Sequence, residues 1–200
     1  HIRARLPKIP ILSALHHQPM PQSSPARQLK LLMLGDSLVA GGEWPYFLPG
    51  YSIQNCGIPG LTTFELYQSL PSVQRFYPQV DYITVMIGTN DLLMGDFSFP
   101  QDLRKILENL SQSYPRSYRF VHSLLPMDVP YISQQTIQHC NQQIAQIAGE
   151  TQWRYIDLYE KFTIAAKGLF ELDGVHLTHL AYQLWAQILT KQIAISENCD

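Results

Sequence analysis

The sequence is poor in cysteine, in charge and in long apolar runs, and each shortage excludes something. Its three cysteines, Cys56, Cys140 and Cys199, form no CxxC pair and fall at no framework spacing. A disulfide-stapled scaffold is therefore not expected, and at least one thiol stays free. That balance favours a cytoplasmic setting, with export left open because no initiator methionine begins the chain and a leader could have been removed. Charged residues make up 15% of the 200 residues and the formal net charge is -2. Nucleic acid and anionic membrane surfaces are thus not the expected partners, whereas small neutral or weakly polar molecules are. No run approaches the roughly 18 apolar residues of a spanning helix, so no integral membrane association is expected.

What is present, at 46% hydrophobic content, suits one globular domain with a sizeable core. Residues 1–28 stand apart: Pro7, Pro10, Pro19, Pro21 and Pro25 come with basic residues and no acidic one. This reads as an N-terminal arm, either a leader or a segment that packs on the domain or on a second subunit to make a homo-oligomer. The domain follows over 29–195, and 196–200 form a tail. His16 and His17 have no second ligand pair at a fitting spacing, so no metal is expected.

From Leu29 onward, short apolar runs alternate with helical patterns, the signature of β-α-β units and a parallel sheet. The spacing predicts strands at Lys30 to Leu34, Ser52 to Asn55, Tyr82 to Ile87, Tyr118 to His122 and Arg154 to Ile156. Helices are expected over Thr62 to Phe76, Gln101 to Ser113 and Ser133 to Gly149, then from Thr178, a good N-cap, to about Ala194. An open parallel sheet binds ligands beyond the carboxyl ends of its strands, so the chemistry is to be sought in those loops.

Four segments there carry it. Gly35-Asp36-Ser37 follows the first strand, where a serine stands among helix N-terminal amides that favour developing negative charge. Taken alone it is as well explained by an ordinary turn. Asn55-Cys56-Gly57-Ile58-Pro59-Gly60-Leu61-Thr62 follows the second strand, and its glycines can free an amide for an oxyanion. Gly88-Thr89-Asn90-Asp91 follows the third; the Asn90 amide is a candidate donor and Asp91 a candidate loop anchor, with an Asx-turn as the plainer alternative. Asp173-Gly174-Val175-His176 precedes the last helix, where a carboxylate three residues before a histidine can reach Nδ1 and leave Nε2 as a general base. Together they supply nucleophile, base, orienting acid and oxyanion donors, the parts that acyl transfer needs.

These segments resemble the four sequence blocks of the SGNH (GDSL-like) hydrolases over about Leu29 to Ala194. The resemblance implies a three-layer α/β/α sandwich, flavodoxin-like, with a five-stranded parallel sheet. It implies Ser37 as nucleophile, His176 as base and Asp173 as its orienting partner. The oxyanion hole would combine the amides of Ser37 and Gly60 with the Asn90 side chain; Gly60 is preferred to Gly57 because it stands two before Thr62 in the N-x-x-x-x-G-x-T pattern. The implied substrate is a small-molecule acyl ester, with thioesterase, carbohydrate deacetylase, lipase and lysophospholipase specificities left open, and no cofactor is implied.

The framework of ordinary α/β-hydrolases is disfavoured, since Ser37 has Gly35 two before it but Val39 two after it, not the Gly-x-Ser-x-Gly elbow. A nucleotide-binding reading lacks GxxxxGK[ST] and GxGxxG after the first strand. A non-catalytic binding module on the same fold is the remaining rival. For the substrate groove, Trp44, Leu92 and Phe97 are the expected lining, with Leu93, Met94, Leu125, Met127 and Phe170 as further apolar candidates; core packing is the competing explanation for each. His122, His139 and His179 are expected to be structural.

Overall fold

The computed structural model describes residues 26–165 and 167–199; most of the N-terminal arm lies outside them. Five strands form one sheet: β1 (Leu29–Gly35), β2 (Tyr51–Gly57), β3 (Tyr82–Met86), β4 (Tyr118–His122) and β5 (Arg154–Ile156). All pairings are parallel and the spatial order is β2-β1-β3-β4-β5. This is the flavodoxin-like order, whose chain reverses direction across the sheet at β1 and β3, leaving a crevice at the carboxyl ends.

The strands are apolar on both faces because helices cover both. Along β1, Leu32 and Leu34 point into one core and Leu31 and Met33 into the other, the period of two that a strand imposes. The first core is closed by α3 (Thr63–Phe76), α5 (Phe99–Ser113) and α6 (Gln134–Glu150). The second is closed by α1 (Ser37–Ala40), α2 (Trp44–Phe47), α7 (Leu158–Ile164) and α8 (His179–Glu197). Helix α4 (Thr89–Leu93) follows β3.

The five strands and the long helices match the sequence pattern, with β4 and β5 at their expected bounds. The last helix continues past Ala194 into the segment expected as a tail, ending at Glu197, whose carboxylate accepts a hydrogen bond from the Tyr82 hydroxyl at the amino end of β3. Four short helices, α1, α2, α4 and α7, were not expected. With four to seven residues each, they are too short to show a 3.6-residue period. Two are started by a capping aspartate instead: Asp36 Oδ1 accepts from Leu38 N at 2.9 Å and Asp157 Oδ1 from Glu160 N at 3.0 Å.

Candidate active site

Ser37 is the first residue of α1, directly beyond the carboxyl end of β1. The first N–H groups of a helix have no acceptor within it, so this position sets the Ser37 amide and hydroxyl side by side at a positive dipole end. Asp36 is wholly buried beneath it. One carboxylate oxygen caps α1, the other has no hydrogen-bond partner among the described residues, and burial pushes the Asp36 carboxyl up to about 6.

Asp173 and His176 come from a small hairpin between α7 and α8. Phe170 and Leu177 form an antiparallel bridge, Glu171 N donates to His176 O at 2.8 Å, and Gly174 N donates to Glu171 O at 3.0 Å. Gly174 turns the chain at φ 71°, and a Cβ there would stand 2.5 Å from Asp128 O. Both the backbone conformation and the close approach therefore call for glycine. Asp128 N donates to Gly174 O at 3.0 Å, so the segment after β4 braces the hairpin from the side. Exchanging Gly174 for alanine should destabilise the fold by about 1–3 kcal/mol, read as a lowered midpoint in urea; an unchanged midpoint would mean that the two segments separate at no cost.

The hairpin brings His176 Nε2 to 3.2 Å from Ser37 Oγ, across 139 residues of sequence, while His176 Nδ1 lies 2.5 Å from Asp173 Oδ2. The second Asp173 oxygen accepts from the Val175 and His176 amides, each at 2.9 Å. The His176 contact above all, and then these amides, hold the Asp173 carboxyl down at about 2. Asp173 is thus ionised at neutral pH, and an ionised partner at Nδ1 leaves Nε2 as the lone-pair nitrogen facing the serine. The order hydroxyl, imidazole, carboxylate is the one that activates a serine.

The other two expected residues lie on the neighbouring loops. Gly60, beyond β2, has φ 79° with open space where a Cβ would be, so its backbone conformation rather than crowding demands glycine. Asn90 in α4 donates from Nδ2 to Leu61 O at 3.0 Å, which ties it to the Gly60 loop and aims its amide there. Asp91, buried, accepts from Thr63 N and Thr63 Oγ1 at 3.1 and 2.9 Å and so pins the start of α3 to α4.

Asn55 was given no role from sequence. Its Nδ2 donates to Ala40 O at 3.2 Å and its Oδ1 accepts from Gly57 N at 3.0 Å, which joins the Gly60 loop to the end of the Ser37 helix. Its place in the segment with Gly57 and Gly60 was the only signal available.

The expected groove lining needs correction. Trp44 is wholly buried, donates from Nε1 to Val39 O at 2.8 Å and packs edge-on against Trp185 at 4.9 Å. Leu92 and Met127 are buried in the first core and Leu125 in the second. These side chains stabilise the loops from behind and do not face a substrate. Phe97 and Met94, 52% and 67% exposed, do stand at the surface of that edge.

His122 is structural, as expected. It is buried on β4, accepts from Trp185 Nε1 at 3.2 Å and has its Nδ1 3.3 Å from Val85 O. Burial drops its pKa to about 4. The unfolded chain therefore takes up a proton at His122 near pH 6.5 that the folded protein refuses until about pH 4, so this stability is present above pH 6.5 and lost as the pH falls through 4. Asp36 acts oppositely: its raised pKa gives stability that is present below 3.8 and lost as the pH rises through about 6. Each contribution amounts to about 3 kcal/mol, and between pH 4 and 6 they offset one another. Asp36→Asn removes one of them, so the variant should lose about 3 kcal/mol more than the wild type between pH 6.5 and 4. Parallel urea titrations measure this, and identical pH profiles would show that Asp36 does not titrate in that range.

The chain resembles known proteins in sequence and in fold. The model of the GDSL-like Lipase/Acylhydrolase family matches residues 33–184. No curated protein matches the chain. Among solved structures it is similar to a Streptococcus pneumonia protein provisionally described as a platelet activating factor (24% identity, TM-score 0.73, 84% of this chain and 85% of that one). It is also similar to a psychrotrophic esterase from Pseudoalteromonas sp. (16%, 0.71, 84% and 98%) and to a lipase/acylhydrolase from Enterococcus faecalis (19%, 0.67, 82% and 95%). At these identities the structures speak for the fold, while the family model, matching more than half the sequence, shows that the chain belongs to the GDSL-like lipase/acylhydrolase family.

Proposed function

We propose that this protein is a serine hydrolase that cleaves carboxylic esters of small molecules through an acyl intermediate on Ser37. The observation that carries this is the unbroken line from Ser37 Oγ through the His176 ring to Asp173 Oδ2. His176 Nε2 takes the hydroxyl proton as Oγ attacks the ester carbonyl, and the tetrahedral oxyanion is met by the Ser37 and Gly60 amides and by Asn90 Nδ2. His176 then gives the proton to the departing alkoxide, which leaves the acyl group on Oγ. In the second half a water enters, His176 takes its proton, and the collapse of a second oxyanion returns Ser37 and releases the acid.

Asp173 keeps the imidazole in the tautomer this cycle needs and balances the imidazolium formed midway. The tie between Asn90 and Leu61 supports the oxyanion assignment, because a donor held in place before the reaction needs no reorganisation as charge develops. Fluorophosphonate labelling tests the proposal: modification at Ser37, absent in Ser37→Ala, is the expected result. An unlabelled, folded protein would favour the binding module. A series of aryl esters of increasing acyl length, acyl thioesters, acetylated sugars and lysophospholipids, run with Ser37→Ala in parallel, then ranks the substrates.

A further inference from the structure

The segments 36–43, 57–65, 87–98 and 123–133 follow β1 to β4 at the carboxyl edge of the sheet, and 168–180 hold the catalytic hairpin. They contain neither lysine nor arginine, whereas Glu43, Glu65, Asp96, Asp128, Glu171 and Asp173 lie in them and are exposed. Among the basic residues of the described chain, Arg27 pairs with Asp81 at the amino edge and Arg104 with Glu150 on the helix flank, while Lys161 lies in α7 after β5, the strand three places from β1 in the sheet. Lys167 precedes the Phe170–Leu177 bridge, on the side away from the Asp173–Gly174 turn.

Two of the carboxylates belong to residues whose backbone amides are tied to the segments carrying Asn90 and His176. Asp96 N donates to Asp91 O at 2.8 Å, one residue beyond Asn90. Asp96 Oδ1 accepts from Ser98 Oγ and Ser98 N at 2.7 and 2.8 Å, and these bonds hold its carboxyl below the usual range. Asp128 is tied by its own amide to Gly174, between Asp173 and His176. Interspersed with the charges are the exposed apolar side chains of Ile58, Met94, Phe97 and Leu172. A substrate approaching Ser37 thus meets apolar contact surface and charge of one sign, which attracts or repels before any contact forms.

We infer that this edge selects esters by charge, admitting neutral and cationic substrates and turning away anionic ones, with Asp96 and Asp128 as specificity-setting residues. The inference rests on the ester-hydrolase reading and narrows its substrate class: acyl groups on multiply anionic carriers, such as phosphorylated thiols or sugars, are disfavoured. One-signed lining changes substrate capture by roughly 10- to 1000-fold. The carboxylates here are solvated, which places the expected effect near the lower end, about 10-fold.

Three acetate esters that share one ring isolate the effect: phenyl acetate, 4-acetoxybenzenesulfonate and 4-(trimethylammonio)phenyl acetate. Each kcat/KM is divided by the rate of hydroxide hydrolysis, to remove intrinsic reactivity. At low ionic strength the corrected value for the neutral and cationic esters should exceed that for the anionic ester by about 10-fold or more, and the gap should shrink as salt screens the edge. In the double variant Asp96→Asn/Asp128→Asn the same ratio should fall several-fold, since an amide oxygen at position 96 still accepts from Ser98 while the charge is gone. A ratio near one at low salt, or a ratio that neither salt nor the double variant moves, overturns the charge selection while leaving the hydrolase reading intact. Lack of Ser37-dependent turnover on all three esters overturns both.

Discussion

Replacing His176 by alanine is expected to lower kcat on a neutral ester by roughly 10^4- to 10^6-fold, with the fold retained. The imidazole is the only base within reach of Ser37 Oγ among the described contacts, and nucleophile and base act as a unit, so losing either forfeits most of what both supply. Ser37→Ala should therefore be about as damaging, and the double variant little worse than either single one. His176 stands exposed on its hairpin, so its loss leaves no cavity, and the stability read from urea unfolding should change by less than about 1 kcal/mol. Asp173→Asn should cost less, no more than roughly 10^4-fold. Half of the Asp173 side chain meets solvent, and water can replace part of what the carboxylate does for Nδ1. Single-turnover kinetics give the comparison; near-normal turnover in His176→Ala would remove the base from the mechanism.

The second large effect is expected at Asn90. Removing one preorganised oxyanion donor costs roughly 10²- to 10³-fold in kcat, with KM little changed because the bond strengthens only as charge develops. Asn90→Ala also releases Leu61 O, but Asp91 still anchors Thr63 and keeps the two loops together. Asn90→Asp should be worse than Asn90→Ala, since it sets a negative charge against a developing one. If Asn90→Ala kept wild-type kcat, the oxyanion would have to be held by the two amides alone. Damage to KM alone would make Asn90 a ground-state contact.

Much of this could be read from the chain. Strands such as Tyr82–Met86 are short β-branched and apolar runs bounded by turn residues, and long helices such as Gln134–Glu150 repeat their apolar positions often enough for the period to show. The candidate residues of the proposed site came from local pattern too, because Ser37, Gly60, Asn90 and the Asp173–His176 pair each sit in a short segment with its own local logic. Short helices were not legible, since four residues such as Ser37–Ala40 contain barely one turn. Trp44 was misread for a different reason: position after a catalytic loop does not say which way a side chain points, and the indole turned inward to Val39 O, Tyr182 and Trp185.

Local pattern, then, determined the β-α-β alternation, the bounds of the longer elements and the candidate groups for acyl transfer, because these depend on side-chain period and turn chemistry within a few residues. The contact of Ser37 with His176, the tie from Asn90 to Leu61, the bridge from Asn55 to Ala40 and the bracing of Gly174 by Asp128 belong to the folded chain alone. Each joins segments that meet only once the strands pair in the order β2-β1-β3-β4-β5, and burial of two cores rather than any local preference sets that order.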